Sequence, residues 1–207
     1  MYKYRFYLIK VIFSNLSKKL PYSKPTSNCK FFNDAKPFQA MKLNNLNDLF
    51  IHELKDLYNA ENQIMKALPL MAKEASSTDL KNAFEMHLRE TEKQIERLDM
   101  VFEKLGQKAT GEKCKAMEGI IKEAQDIMSE NADPDVMDAA LIASAQRVEH
   151  YEIAGYGTVC TFAKQLGHTE VLNLLHQTLE EEKSTDMKLT SIAESKINIK
   201  AENKGGR

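Results

Sequence analysis

The chain has 207 residues, enough for one good core and short for two. Only eight glycines and five prolines punctuate it, and Ala, Leu, Lys, Glu and Met abound from residue 41 onward, which favours an all-helical soluble domain. Three cysteines, Cys29, Cys114 and Cys160, are too few and too scattered for a disulfide framework, so a reducing cytoplasm is the default expectation.

The net charge of −1 hides an asymmetry. Residues 1–40 carry eight Lys/Arg, one acidic residue and nine of the sixteen aromatics; residues 41–207 carry 21 basic and 29 acidic residues. The apolar stretch "FYLIKVIF" is too short to span a bilayer and is broken by Lys10, and no clean cleavage site for a secretory signal follows it. Residues 1–40 therefore read as an N-terminal extension outside the fold, with Met41 as the functional start. A basic, aromatic arm for a membrane surface or nucleic acid is the other reading, but nothing in the domain that follows requires nucleic acid.

The first helix is predicted over about 44–73, on the stripe Leu46, Phe50, Leu54, Leu57, Glu61, Ile64, Leu68 and Met71. Asn44, Asn45 or Asn47 is its cap, and Pro69 marks its last turns or kinks it. "ASSTD" is a turn in which Ser77 or Thr78 caps a second helix over about 79–105, with Leu80, Phe84, Leu88, Thr91, Ile95, Leu98 and Phe102 inward and Gly106 as its stop. About 28 residues follow, including the short helical stretch "CKAMEGIIKEAQDIMSEN". A third long helix is predicted over about 134–166, with Pro134 in its first turn and Gly167 at its end, and a fourth over about 169–195. The domain closes near 197, and residues 198–207 read as a polar, fraying tail. Short connections make each long pair an antiparallel hairpin, and the long crossover joins the two hairpins. The fold class is therefore all-α, a ferritin-like four-helix bundle.

"RVEHYEIAGY", residues 147–156, breaks the pattern of a buried helix. Leu141, Ala145, Val148, Gly155 and Val159 keep a seven-residue rhythm, and Glu152 fills the slot between Val148 and Gly155. Each of the other long helices also carries a carboxylate on or beside its stripe. Counted from the middle of the first hairpin turn, Glu61 and Glu90 are each 14.5 residues away. Counted from the second turn, Glu152 is 15.5 away, Glu182 is 14.5, and Glu149 and Asp186 are each 18.5. At about 1.5 Å per residue these distances are all roughly 22–28 Å, so one carboxylate from each helix meets the others in one layer. His87 projects to the same side as Glu90. The tract "EEEK" leaves open whether Glu181 or Glu182 faces inward.

Crowded carboxylates in an apolar interior are costly, and they repel one another. Cations answer both problems, and glutamate oxygens with an imidazole suit two ions of iron or manganese. The candidate metal ligands are Glu61, His87, Glu90, Glu149, Glu152, Glu182 and Asp186. The competing reading is a set of buried salt bridges, for which Arg89, Arg97 and Arg147 are the available bases. Cys114 and Cys160 read as structural, and Tyr58, Tyr151 and Tyr156 as packing residues near the level of the site.

From about 45 to 197 the chain resembles the YciF/YciE-type family of bacterial ferritin-like proteins. "LFIHELKDLYNAENQIMKALP", "HLRETEKQIERLD", "KCKAMEGIIKEA", "DAALIASAQRVEHYEIAGYGT" and "TLEEEKSTDMKLT" carry the resemblance. It implies a dimetal-carboxylate bundle of the bacterial stress response, a homodimer, and ligands at Glu61, Glu90, the Glu149-x-x-Glu152 pair and Glu182. It specifies no electron donor. The ferritin Glu-x-x-His pattern is missing, since Lys93 follows Glu90 and Thr185 follows Glu182. His87 instead precedes Glu90, and Asp186 stands as the second acid on the fourth helix. The expected function is redox chemistry on oxygen or peroxide. The alternative is a non-catalytic structural or interaction protein whose metal is vestigial or stabilising, and storage in a cage ranks last.

Overall fold

The computed structural model describes residues 43–204, and the expected extension at 1–40 lies outside the described residues. Helix α1 spans Leu46–Glu74 and α2 spans Thr78–Lys104. The crossover contains α3, Lys115–Met128; α4 spans Pro134–Gln165 and α5 spans Thr169–Ile192. A π-helical turn, Ala193–Ile197, leads into α6, Asn198–Glu202. The described residues are all helical apart from their connections, as the sequence predicts.

Local chemistry sets the boundaries. The Asn45 side chain accepts from the Asp48 amide at 2.9 Å and caps α1. Ser77 caps α2, and Asp133 caps α4 with Pro134 in the first turn. Gly106 and Gly167 follow α2 and α4 with φ of +63° and +78°, the left-handed turn that a glycine reaches without strain. Pro69 lies inside α1, which still runs on to Glu74. Past Ile192 the chain does not leave the bundle. Ala193 and Ile197 are buried, and Lys204 reaches Asp135 at 3.0 Å and Asp133 at 3.4 Å. Residues 198–202, where the sequence suggests a fraying tail, are therefore helical because the π turn keeps Ile197 on the core.

The α1–α2 and α4–α5 hairpins pack together through α1 on α4 and α2 on α5, and α3 lies across α1 and α4. The apolar core is in two parts. One gathers Ile64, Leu68, Met71, Phe84, Leu141 and Leu189 with the buried face of α3. The other gathers Phe50, Leu54, Leu57, Phe102, Val159 and Leu175. Each large apolar side chain buried this way contributes about 1.5–3 kcal/mol. Gly155 allows α1 and α4 to close up: a Cβ there would stand 2.7 Å from Leu57 Cδ2. Between the two apolar parts lies a layer of buried polar residues.

Candidate metal centre

The layer is built from four helices. Glu61 comes from α1, His87, Thr91 and Gln94 from α2, Glu149 and Glu152 from α4, and Thr178 and Glu182 from α5, all buried. Glu149 and Glu152, three residues apart on α4, project to one side of that helix. Glu182 takes the slot seven residues before Leu189, and Glu61 the slot between Leu57 and Ile64. The sequence pattern places carboxylates here because helical spacing does.

His87, Glu149, Glu152 and Glu182 each offer one ligand atom, and these atoms all lie within 4.8 Å of one another. His87 Nε2 is 3.3 Å from Glu149 Oε1 and 4.0 Å from Glu182 Oε2; its Nδ1 is 3.7 Å from Glu90 Oε2. Glu61 adjoins the group, accepting from Tyr156 Oη at 2.5 Å. Gln94 donates through Nε2 to Glu182 Oε1, and to Glu181 Oε2 at 3.2 Å. Glu182 is the inward member of its tract. Glu181 is turned outward to a bidentate pair with Arg97, at 2.9 and 3.0 Å.

Two of the sequence candidates stand apart. Glu90 is about one-third exposed, at the rim, because α2 turns His87, Thr91 and Gln94 inward instead. Asp186 sits part-buried on the flank of α5 that faces α4. It accepts from Gln146 at 3.0 Å and lies 3.5 Å from His150 Nε2, outside the four-residue group.

Polar demand exceeds supply in this layer. Glu152 is fully buried and neither of its oxygens has a hydrogen-bond partner. Glu61 Oε2, Glu149 Oε2, Glu182 Oε2, Gln94 Oε1 and both His87 nitrogens also lack one. Burial pushes Glu61 up to about 7, against the hydrogen bond from Tyr156 and the charge of His87. Burial also raises Glu152 well above the carboxylate range, and Glu61, Glu182 and Glu149 add to the rise. Glu182 is raised by burial, with His87 opposing. Burial disfavours charge on His87 as well, but Glu149, Glu90 and Glu182 outweigh it and favour the imidazolium. His87 in turn holds the Glu90 carboxyl below its usual value.

The arginines do not answer this demand. Arg97 spends its donors on Glu181 and on Thr178 Oγ1 at 2.5 Å, while Arg89 and Arg147 are exposed. Four buried carboxylates therefore face one imidazole, one amide and one phenol. The donor set is oxygen-rich with a single nitrogen, and buried acceptors without donors are what cations satisfy. The residues present could hold a metal ion.

A domain of unknown function, DUF892, matches residues 45–202. The chain belongs to the DUF892 family. Protein YciF of Escherichia coli strain K12 is 50% identical over 165 residues, 79% of this chain and 99% of YciF. The crystal structure of the E. coli stress protein YciF matches with a TM-score of 0.73 at 49% identity, over 75% of this chain and 99% of that one. YcfI from Rhodopseudomonas palustris matches at 0.71 and 48%, over 78% and 98%. A protein from Xanthomonas campestris, 20% identical with a TM-score of 0.63, shares the fold. The resemblance read from the sequence and the helical bundle it implies are both borne out by the DUF892 relatives.

Sequence reading misses Gln94 as a site neighbour. It also misses the chain Asp56–Tyr151–Cys114, in which Tyr151 Oη donates to Asp56 and lies 3.0 Å from the Cys114 sulfur. Cys114 itself caps α3, its sulfur accepting from the Met117 amide at 3.4 Å. Residues from distant parts of the chain make these contacts, and no local spacing signals them.

Among the described residues, no helix is long and apolar enough to cross a membrane.

Proposed function

We propose that this layer holds two ions of iron or manganese, and that the loaded protein reacts with oxygen or peroxide in the cytoplasm of a stressed bacterium, as a homodimer. The observation that carries the reading is Glu152, fully buried with both oxygens unpartnered among three more buried carboxylates. Such ions supply one-electron steps between their +2 and +3 states. The chain's part is to bind and orient. Glu61, His87, Glu149, Glu152 and Glu182 present the donor atoms. Tyr156 fixes one oxygen of Glu61, and Gln94 fixes one of Glu182. Glu90 sits against His87 Nδ1 and orients the ring. The apolar parts of the core close the layer on either side along the bundle.

Metal analysis of protein purified without chelator tests this, followed by anaerobic addition of ferrous or manganous ion and then exposure to oxygen or peroxide. About two ions per chain, and oxidation faster than in protein-free buffer, are expected. Less than about one ion per chain, with none taken up on addition, sinks the reading. Uptake without any oxidation favours the second reading, a structural protein whose metal is only stabilising; the description of YcfI points to such a structural role for that relative.

The domain boundary belongs to the same proposal. A chain beginning at Met41 is expected to stay soluble and to take up as much metal as the full chain. Loss of either shows that residues 1–40 belong to the working protein.

A further inference from the structure

Two openings lead to the buried layer, and both end on His87 and Glu149. One lies among α1, α3 and α4. Its volume is about 20 Å³, room for about one water, and its walls are mostly hydrocarbon, with Gln125 exposed and His87, Ser144 and Glu149 buried along it. The other is a cleft of about 150 Å³ between α2 and α5. Glu90 and Glu181 stand on its walls with the hydroxyls of Ser184 and Thr185. At its floor, Glu149 Oε2 and both His87 nitrogens are buried without hydrogen-bond partners. Its outer end is spanned by Lys188 of α5, whose ammonium lies 3.9 Å from the sulfur of Met86 on α2.

We infer that the α2–α5 cleft is the route by which a divalent cation reaches the carboxylate layer, with Glu90 receiving it at the rim and Lys188, laid over Met86, as the charged cover it must pass. This rests on the metal reading above. A hydrated divalent ion exchanges its waters stepwise, so its path needs oxygen donors and space for several waters. The cleft has both, whereas the smaller opening has room for about one water. Glu90 is the partly exposed carboxylate whose neighbour, His87, is already a member of the buried group. Each handover is therefore between adjacent side chains. Lys188 repels an arriving cation and slows it.

Co²⁺ added to the metal-free full chain reports arrival by its visible absorption, read by stopped flow and checked by the cobalt content at equilibrium. Ser184 is exposed at the cleft, so Ser184→Trp obstructs the passage with little strain on the core. It is expected to slow uptake about tenfold or more with the final cobalt content unchanged. Lys188→Glu is expected to speed uptake, on the order of several-fold in dilute buffer, and the gain should vanish at about 1 M salt. Ala67→Leu, which narrows the apolar opening, should leave the rate as it is. If the wild-type chain loads but Ser184→Trp keeps pace with it, or if Lys188→Glu brings no change at low salt, the route is overturned. Slowing by Ala67→Leu instead assigns the route to the other opening. A wild-type chain that takes up no Co²⁺ at equilibrium overturns the metal reading, and the route falls with it.

Discussion

Asp138 and Glu152 lie on one helix, fourteen residues apart on the same stripe, and both are buried. Their surroundings are opposite. Asp138, near the α1–α2 turn, accepts from the Ser76 amide at 2.8 Å, the Ser76 hydroxyl at 2.7 Å and the Ser77 amide at 2.8 Å. It supplies acceptors to chain that would otherwise be orphaned at the start of α2. Glu152 accepts nothing. Burial of a carboxylate is therefore not the sign of a ligand. A buried carboxylate with partners holds the fold together; one without them strains it and waits for a cation.

The sharpest way to break this contrast is to remove the satisfied carboxylate. Asp138→Ala leaves two amides and a hydroxyl without their acceptor, and it is expected to cost about 3 kcal/mol in the metal-free protein. Urea unfolding measures it. A cost under about 1 kcal/mol would mean that water replaces Asp138 readily, and that the turn does not depend on it.

Glu152→Gln keeps the shape of the side chain and removes its charge. In metal-free protein it is expected to leave stability unchanged or raise it by about 1 kcal/mol, since a neutral amide ends the repulsion from Glu61, Glu182 and Glu149. The same variant should lose at least one bound metal ion. A destabilisation close to that of Asp138→Ala would place a donor on Glu152 and erase the contrast. That outcome would favour the salt-bridge reading, in which removing one partner strands the other.

How far the sequence discloses this layer depends on the helix. On α1, α4 and α5 the stripes run through Glu61, Glu152 and Glu182, and counting from the turns brings them to one level, as in the structure. On α2 the choice of apolar letters misleads. Leu88 and Ile95 are only half-buried, and the inward positions are His87, Thr91 and Gln94, one residue earlier at two of the three. Helical spacing tolerates either rotation, and the preference for apolar residues selects the wrong one where the interior itself is polar. Glu90 moves to the rim for that reason. Asp186 is displaced differently: Glu182 and Leu189 fix the inward edge of α5, and a residue four beyond Glu182 falls to the side facing Gln146. Asp138 is on the α4 stripe yet carries no sign of its role, because its donors lie more than sixty residues earlier in the chain.

The smallest effect expected is the pH dependence of the metal-free protein, where opposing groups partly cancel. Glu61 is raised from 4.5 to about 7, and Glu152 and Glu182 are raised with it. A group raised on folding binds more protons in the folded than in the unfolded chain between its two pKa values. Its stabilisation is complete below about 4.5 and is lost as the pH rises towards 7. His87, also raised, acts in the same direction over a higher range. Glu90, lowered by His87, acts oppositely and loses its contribution on acidification, as do the exposed Asp79, Glu170 and Glu180 beside lysines. The net slope is therefore shallow, and the informative quantity is the difference between Glu152→Gln and wild type. The variant lacks one raised carboxyl and relieves the others, so its advantage in melting temperature should grow from pH 5 to pH 7. Bound metal reverses the sign, because ligands must be ionised to bind, and the stabilisation by added Mn²⁺ should grow over the same range. Melts of both proteins across that range, with and without Mn²⁺, measure the two trends. A variant advantage that stays level would show that Glu152 is not raised on folding, and a metal increment that shrinks as the pH rises would take the carboxylates out of the ligand set.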